Sequence, residues 1–197
     1  MIQSKPMFIV LEGLDGSGKS TCAAGMASAL GATLLTTPSP EVRRYRDDLV
    51  RSLQPSQEAA QLFYLATVFA ASKSITDVLA SGRSVVLDRY FLSTQAYAAF
   101  RGSRLDVDDL QAALCPADVT LYVDVSLETR LARLRARGAT EADLETITPD
   151  ADHRLREEHM RRAHLPVVGR FVRLDGQAGD AAHVRANALR AVGEMSR

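Results

Sequence analysis

The stretch Met7–Thr21, MFIVLEGLDGSGKST, decides how the rest of the chain is read. Met7 to Leu11 is a short apolar run of the kind that forms a buried strand. Glu12 to Gly18 is a glycine-rich turn, and Lys19 onward reads as a helix. Gly13, Gly18, Lys19 and Ser20 fit the spacing G-x-x-x-x-G-K-[ST] of a phosphate-binding loop. Glycine lets such a backbone turn its N–H groups inward on an anion, and the following helix adds the positive end of its dipole. Lys19 supplies a mobile charge for β- and γ-phosphates, and Ser20 a hydroxyl for Mg²⁺. Asp15, Gly16, Ser17 and Thr21 complete the stretch expected to wrap the nucleotide.

The 197 residues suit one domain, 1–197, with a substantial core. Hydrophobic residues make 46% and charged residues 24%, a balance that argues against disorder. Lys plus Arg number 24 and Asp plus Glu 24, so no global field draws the chain to nucleic acid or a membrane. Arginines nevertheless crowd together from Arg130 onward. No apolar run is expected to span a membrane, and MIQSKPMFIV has no secretory pattern. Cys22 and Cys115 form no zinc or redox motif, which fits a reducing cytoplasm. His153, His159, His164 and His183 lack metalloprotease spacing and read as surface or helix-face residues.

Beyond the loop, Lys19 to Leu30 reads as a helix stopped by Gly31, and Ala32 to Thr36 as a strand. After the proline-bearing link Thr37 to Pro40, Glu41 to Leu53 reads as one helix with a basic face including Arg46. Ser56 or Gln57 opens a long helix to about Ala80, on which Phe63 belongs to the core or lines a pocket. Ser84 to Leu87 is a buried strand running into Asp88-Arg89-Tyr90. Ligands of open α/β sheets sit beyond the carboxyl ends of the strands, where Asp88 would support Mg²⁺ and Arg89 would clamp a phosphate. Helices over Ser93–Phe100, with Thr94 and Tyr97, and Asp106–Leu114 follow, then a fourth strand at Val119–Val125. Ser126 caps a helix to Arg137 bearing Arg130, Arg133, Arg135 and Arg137. Gly138 to Pro149 is polar and aperiodic, as a mobile lid would be. A charged helix over Asp150–His164, a fifth strand at Phe171–Leu174 and a helix over Ala178–Met195 close the chain. Strands and helices in alternation predict an α/β fold, a five-stranded parallel sheet with helices on both faces.

A phosphate loop alone permits an ATPase, a GTPase switch or a kinase. The chain has no guanine-reading N-K-x-D, and motor or transporter ATPases usually run longer. A small domain with phosphate-clamping arginines beyond the loop suits phosphoryl transfer from ATP to a second phosphorylated substrate. The residues then resemble the thymidylate kinase family, P-loop nucleoside monophosphate kinases. Phe8 to Thr21 is similar to that family's E-G-x-D-G-x-G-K-[ST] loop, and Asp88-Arg89-Tyr90 with Ser93 and Ala96-Tyr97 to its D-R-Y-x-x-S-x-x-A-Y segment. Pro116 to Val125 is similar to its P-D-x-T-x-x-L-x-V strand, and Arg133 to Gly138 to the basic start of its lid, here about 133–150.

The resemblance implies a kinase that makes dTDP from dTMP and ATP with Mg²⁺, working as a homodimer on small nucleotides. It implies that Lys19 and Ser20 hold the ATP phosphates and metal, that Asp88 supports the metal, and that Asp15 and Arg89 engage the acceptor. It places Phe63 against the thymine ring, Tyr97 against the sugar, and Thr94, Thr67 and Arg46 around the acceptor. With Gly16 after the loop aspartate, the catalytic arginine is expected from the lid, as Arg133 or Arg137. The chain departs from the family at three places. Thr36-Thr37-Pro38-Ser39-Pro40 replaces T-R-E-P-G, Thr67 replaces a base-reading arginine, and Glu141 to Glu145 lacks the arginine of D-R-x-E. These departures raise two alternatives: transfer to another or modified nucleoside monophosphate, or an impaired nucleotide-binding protein.

Overall fold

The computed structural model describes residues 5–177 and 181–194. Five strands form one parallel sheet: β1 (Phe8–Glu12), β2 (Thr33–Thr36), β3 (Val85–Asp88), β4 (Val119–Asp124) and β5 (Arg170–Asp175), in the order β2-β3-β1-β4-β5. Strands β1 and β3 are apolar up to their last residues, Glu12 and Asp88, because both faces are covered. Phe8 and Val10 of β1 and Val85 and Leu87 of β3 face one core. Ile9, Leu11 and Val86 face the other. Edge strand β2 pairs only with β3 and is half-exposed, as an edge allows.

Helices α1 (Lys19–Leu30) and α9 (Ala181–Gly193) cover the second face through Cys22, Met26, Val184 and Ala188. The ends of the expected closing helix, at Ala178 and Met195, lie outside the described residues. The first face carries α4 (Gln57–Ala80) and α5 (Phe91–Phe100), with Leu65, Val68, Ile75, Phe91 and Leu92 inward. Then follow α6 (Leu127–Arg137), the single turn α7 (Glu141–Leu144) and α8 (Pro149–Arg161). Ser56, Ser126 and Thr148 cap α4, α6 and α8 by accepting from backbone N–H groups.

Three expectations, on the helix before α4, on Asp106–Leu114 and on His159, are corrected. The helix expected over Glu41–Leu53 is two, α2 (Pro40–Arg43) and α3 (Arg46–Ser52). Asp47 and Asp48 fall in the first turn of α3, where the helix dipole favours acids. Helix α4 is long and apolar enough, by length and composition, to cross a membrane. Here it turns Leu65, Val68 and Ile75 into the first core, with Gln61, Thr67 and Ser72 buried beside them, and most of its remaining surface is not buried. Asp108–Ala113 is a 3₁₀ turn. His159 is not a surface residue: it is fully buried, its Nδ1 donating to the Leu155 carbonyl at 2.7 Å.

Candidate active site

The site begins where β1 and β3 end side by side. Leu11 pairs with Asp88, the last residue of β3, and Glu12, paired with Tyr122 of β4, ends β1 one position further on at the carboxyl edge of the sheet. Glu12, fully buried, turns its carboxylate onto the start of α5. It accepts from the Tyr90 N–H at 2.9 Å, the Ser93 N–H at 3.1 Å and the Ser93 hydroxyl. A carboxylate against the first N–H groups of a helix offsets the charge of the dipole end. Burial pushes the Glu12 carboxyl up, and those hydrogen bonds oppose it. Between the two strand ends Arg89 takes a left-handed backbone, φ 70°, and its N–H donates to the Leu11 carbonyl at 3.0 Å. A non-glycine residue in that region costs about 1–3 kcal/mol, so the surrounding bonds hold it there.

That twist aims the Arg89 side chain across the loop. Its guanidinium donates to the Ser93 hydroxyl at 3.1 Å, pairs with Asp15, and lies 5.2 Å from the centre of the Tyr97 ring. The Tyr97 hydroxyl donates to the other oxygen of Asp15 at 2.6 Å. Lys19 Nζ stands 3.7 Å from Asp15 and donates to the Leu14 carbonyl at 3.3 Å. Burial raises the Asp15 carboxyl, but Arg89, Lys19 and Tyr97 outweigh it and hold it far below the carboxylate range. Burial and the Arg89 charge bring Lys19 down to about 8, with Asp15, Asp88 and Glu12 opposing. The lysine of the loop and the arginine that follows β3 thus meet on one aspartate.

The phosphate loop lies on α6. Gly18, with φ 91°, precedes α1 as its cap residue. Arg130 Nε donates to the Asp15 carbonyl at 2.7 Å, and Arg133 Nη1 to the Ser17 carbonyl at 2.8 Å. The loop's outward carbonyls are therefore held from α6.

A family model for thymidylate kinase matches residues 11–175, which takes in the loop, the Asp88-Arg89-Tyr90 turn and the lid. The chain belongs to the thymidylate kinase family. The thymidylate kinase of Ruegeria pomeroyi is 34% identical over 188 residues, covering 86% of this chain and 87% of that protein. A probable thymidylate kinase of Archaeoglobus fulgidus is 35% identical over 141 residues, with 67% and 71% covered. The fold is that of the Candida albicans thymidylate kinase structure, with TM-score 0.75 and 21% identity over 96% of this chain and 92% of that one. The Ehrlichia chaffeensis enzyme gives TM-score 0.71 at 21% identity, with 95% and 98% covered.

Within this thymidylate kinase fold the expected site residues separate into groups. Asp15, Lys19, Arg89 and Tyr97 form one cluster. Asp88 is buried at its rim, with Oδ1 lacking a hydrogen-bond partner. Ser20 and Thr21 are exposed in the first turn of α1. Thr94, on α5, spends its hydroxyl on the Tyr90 carbonyl at 3.0 Å. On α4, Phe63 is half-buried, edge-on to Tyr64 at 5.2 Å, and Thr67 is buried with its hydroxyl on the Tyr64 carbonyl at 2.7 Å. Arg46 instead pairs with its neighbour Asp47 on α3. Arg133 bridges the Ser17 and Gly176 carbonyls, whereas the Arg137 guanidinium is exposed and pairs with Asp143 at 2.7 Å.

The stretch expected to be a mobile lid is partly anchored, since Asp143 and Thr146 are buried and Thr146 is bonded to Arg130. Sequence reading gave no role to three residues at the site. Glu12 stands inside the recognised loop pattern, so a signal for it existed. Arg130 looked like one of several arginines on a solvated helix, and His159 like one of four unpatterned histidines.

Proposed function

We propose that this chain transfers the γ-phosphate of ATP to dTMP, giving ADP and dTDP. The observation that carries the reading is the meeting of Lys19 and Arg89 on Asp15, between the phosphate loop and α5. Such a cluster brings two phosphates together and neutralises their repulsion, which is most of what phosphoryl transfer asks of a protein.

ATP phosphates lie in the loop against its N–H groups and Lys19. The acceptor phosphate takes the place facing Arg89, with Asp15 fixing that guanidinium and Tyr97 bordering the sugar. An oxygen of the acceptor phosphate forms the new bond to the γ-phosphorus. The bond to the bridging oxygen of ADP breaks, and its electron pair leaves with ADP. Of the two lid arginines, Arg137 is the more exposed and is held by one ion pair, to Asp143, whereas Arg133 is engaged at both terminal nitrogens, so Arg137 is the one assigned to reach the transferring group.

The residues present fit Mg²⁺. The Ser20 hydroxyl and Asp88, with its unpartnered buried Oδ1, are the groups that would hold it. When bound, it neutralises charge on the transferring phosphoryl group.

We also infer a homodimer. Support comes from the family resemblance and from Leu62, half exposed on the outer face of α4. Sedimentation equilibrium showing only the mass of one chain at micromolar concentration would refute it. Both cysteines are free, consistent with work in the cytoplasm.

The test of the activity is a coupled ADP-release assay with ATP and Mg²⁺ fixed and dTMP, dUMP, dCMP, UMP, CMP and dGMP as acceptors. Highest kcat/KM with dTMP is the expected result. A clear preference for another acceptor overturns the assignment of substrate, and silence across the panel overturns the kinase reading.

A further inference from the structure

Arg130 heads the fully buried side chains by size, at 0% exposure, and it carries a charge. Such a group is tolerated in an interior only when its donors are satisfied. Here they are spent on three separate parts of the chain. Nε donates to the Asp15 carbonyl at 2.7 Å, and Nη1 pairs with Asp152 of α8. Nη2 donates to the carbonyl and the hydroxyl of Thr146, each at 3.2 Å. Asp152 is itself held by Arg156 Nε at 2.7 Å, which fixes its orientation.

Each partner is placed where movement would matter. The carbonyl of Asp15 belongs to the Asp15–Gly16 peptide, and the Asp15 side chain holds Arg89 and Tyr97. Gly16 sits so close that a Cβ there would come 2.9 Å from the Arg130 carbonyl oxygen. Thr146 closes the lid segment, donating to the Asp143 carbonyl at 2.9 Å, while Asp143 accepts from Thr140 and Arg137. The two ends of that segment differ. Gly138 has φ 82° and nothing within 4 Å of the place a Cβ would take, whereas Thr146 is buried and clamped.

We propose that Arg130 is a positioning residue for phosphoryl transfer, fixing the Asp15–Gly16 peptide to the Thr146 pivot of the lid. It rests on the kinase reading above. Arg130 touches neither phosphate. It acts through Asp15, which orients Arg89 toward the acceptor, and through Thr146, about which residues 139–145 turn. Closure of the lid and orientation of the acceptor clamp are therefore mechanically joined at one guanidinium.

The experiment compares Arg130→Met, Arg130→Lys and Thr146→Val with wild type in kcat, in KM for each substrate and in hydrogen exchange of residues 139–145. The acceptor is whichever monophosphate the wild type uses best, so a wrong acceptor assignment would show in the wild type alone. Displacing a catalytic group by about an ångström costs up to roughly 100-fold, so Arg130→Met is expected to lower kcat about tenfold or more. The acceptor KM should rise severalfold while ATP affinity, held by Lys19 and the loop, changes less. Exchange over 139–145 should quicken. Arg130→Lys, which keeps charge but cannot span three partners, should not restore kcat. Thr146→Val, which keeps the bulk of the site and removes one partner hydroxyl, should shift acceptor KM in the same direction and decides the matter if the Arg130 variants do not fold. Unchanged kinetic constants per folded enzyme with only a lowered Tm, or full rescue by lysine, would overturn the proposal.

Discussion

Lys19 and Arg89 share Asp15, and in the proposed reaction they serve different substrates, so their loss should read differently. Lys19→Ala removes the charge on the ATP phosphates and is expected to lower kcat by roughly 100-fold or more, as loss of one preorganised electrostatic group does. Arg89→Ala should raise the acceptor KM severalfold with a smaller effect on the KM for ATP. Steady-state kinetics with each substrate varied checks both, and equal effects on the two substrates would contradict the division. His159 makes a second prediction. Burial, then the charges of Arg89 and Lys19, hold its imidazole down to about 4, against the 6.5 of a free histidine. It is neutral in the fold and protonated in the unfolded chain between those values. Its contribution to stability is complete above pH 6.5 and is lost as the pH falls toward 4, on the order of 3 kcal/mol in all. His159→Phe keeps a ring against Tyr97 and Tyr122 and should flatten that acid limb in urea titrations from pH 4 to 7. An unaltered slope would show that the carboxylates alone set it.

The helix α6 is the element on which the phosphate loop rests, and Gly16 lies directly against its backbone. With φ 81° and 2.9 Å between an added Cβ and the Arg130 carbonyl oxygen, Gly16→Ala meets both backbone strain and a clash with an atom that cannot swing away. Gly82 shares the φ of 81° but has nothing within 4 Å of its Cβ position. Alanine in the left-handed region costs about 1–2 kcal/mol, so Gly82→Ala should lower stability by that amount and leave ATP affinity unchanged. Gly16→Ala should cost more and weaken ATP binding as well. Thermal unfolding and calorimetric ATP titration compare the pair, and equal behaviour would show that α6 yields to the methyl. The elements themselves were largely legible in the chain. Gly31 stopping α1, Ser56 opening α4 and the buried run of β3 are local signals, since caps and periodicity act within a few residues. The break between α2 and α3 and the 3₁₀ form of Asp108–Ala113 were not, because a short segment has little intrinsic preference and its neighbours settle it.

For the molecule as a whole, ligand binding and folding are linked through the loop. A nonhydrolysable ATP analogue at 100 times its Kd should stabilise the protein by about 2.7 kcal/mol, visible as a raised Tm. Lys19→Ala should lose most of that shift at the same analogue concentration, and an undiminished shift would place the nucleotide elsewhere. The parallel sheet, its helices on both faces and the placing of chemistry at its carboxyl edge followed from strand–helix alternation and from one loop motif. Those signals depend on residues close together in the chain, on apolar periodicity and on the backbone demands of a glycine turn. Arg130 and Asp15 stand 115 residues apart. Their hydrogen bond, the burial of His159 between two tyrosines and the clamping of Thr146 exist only once β1, α6 and α8 have packed together. No local pattern distinguishes an arginine that will be buried from its neighbours on the same helix, because the free energy that buries it comes from partners contributed by the rest of the fold.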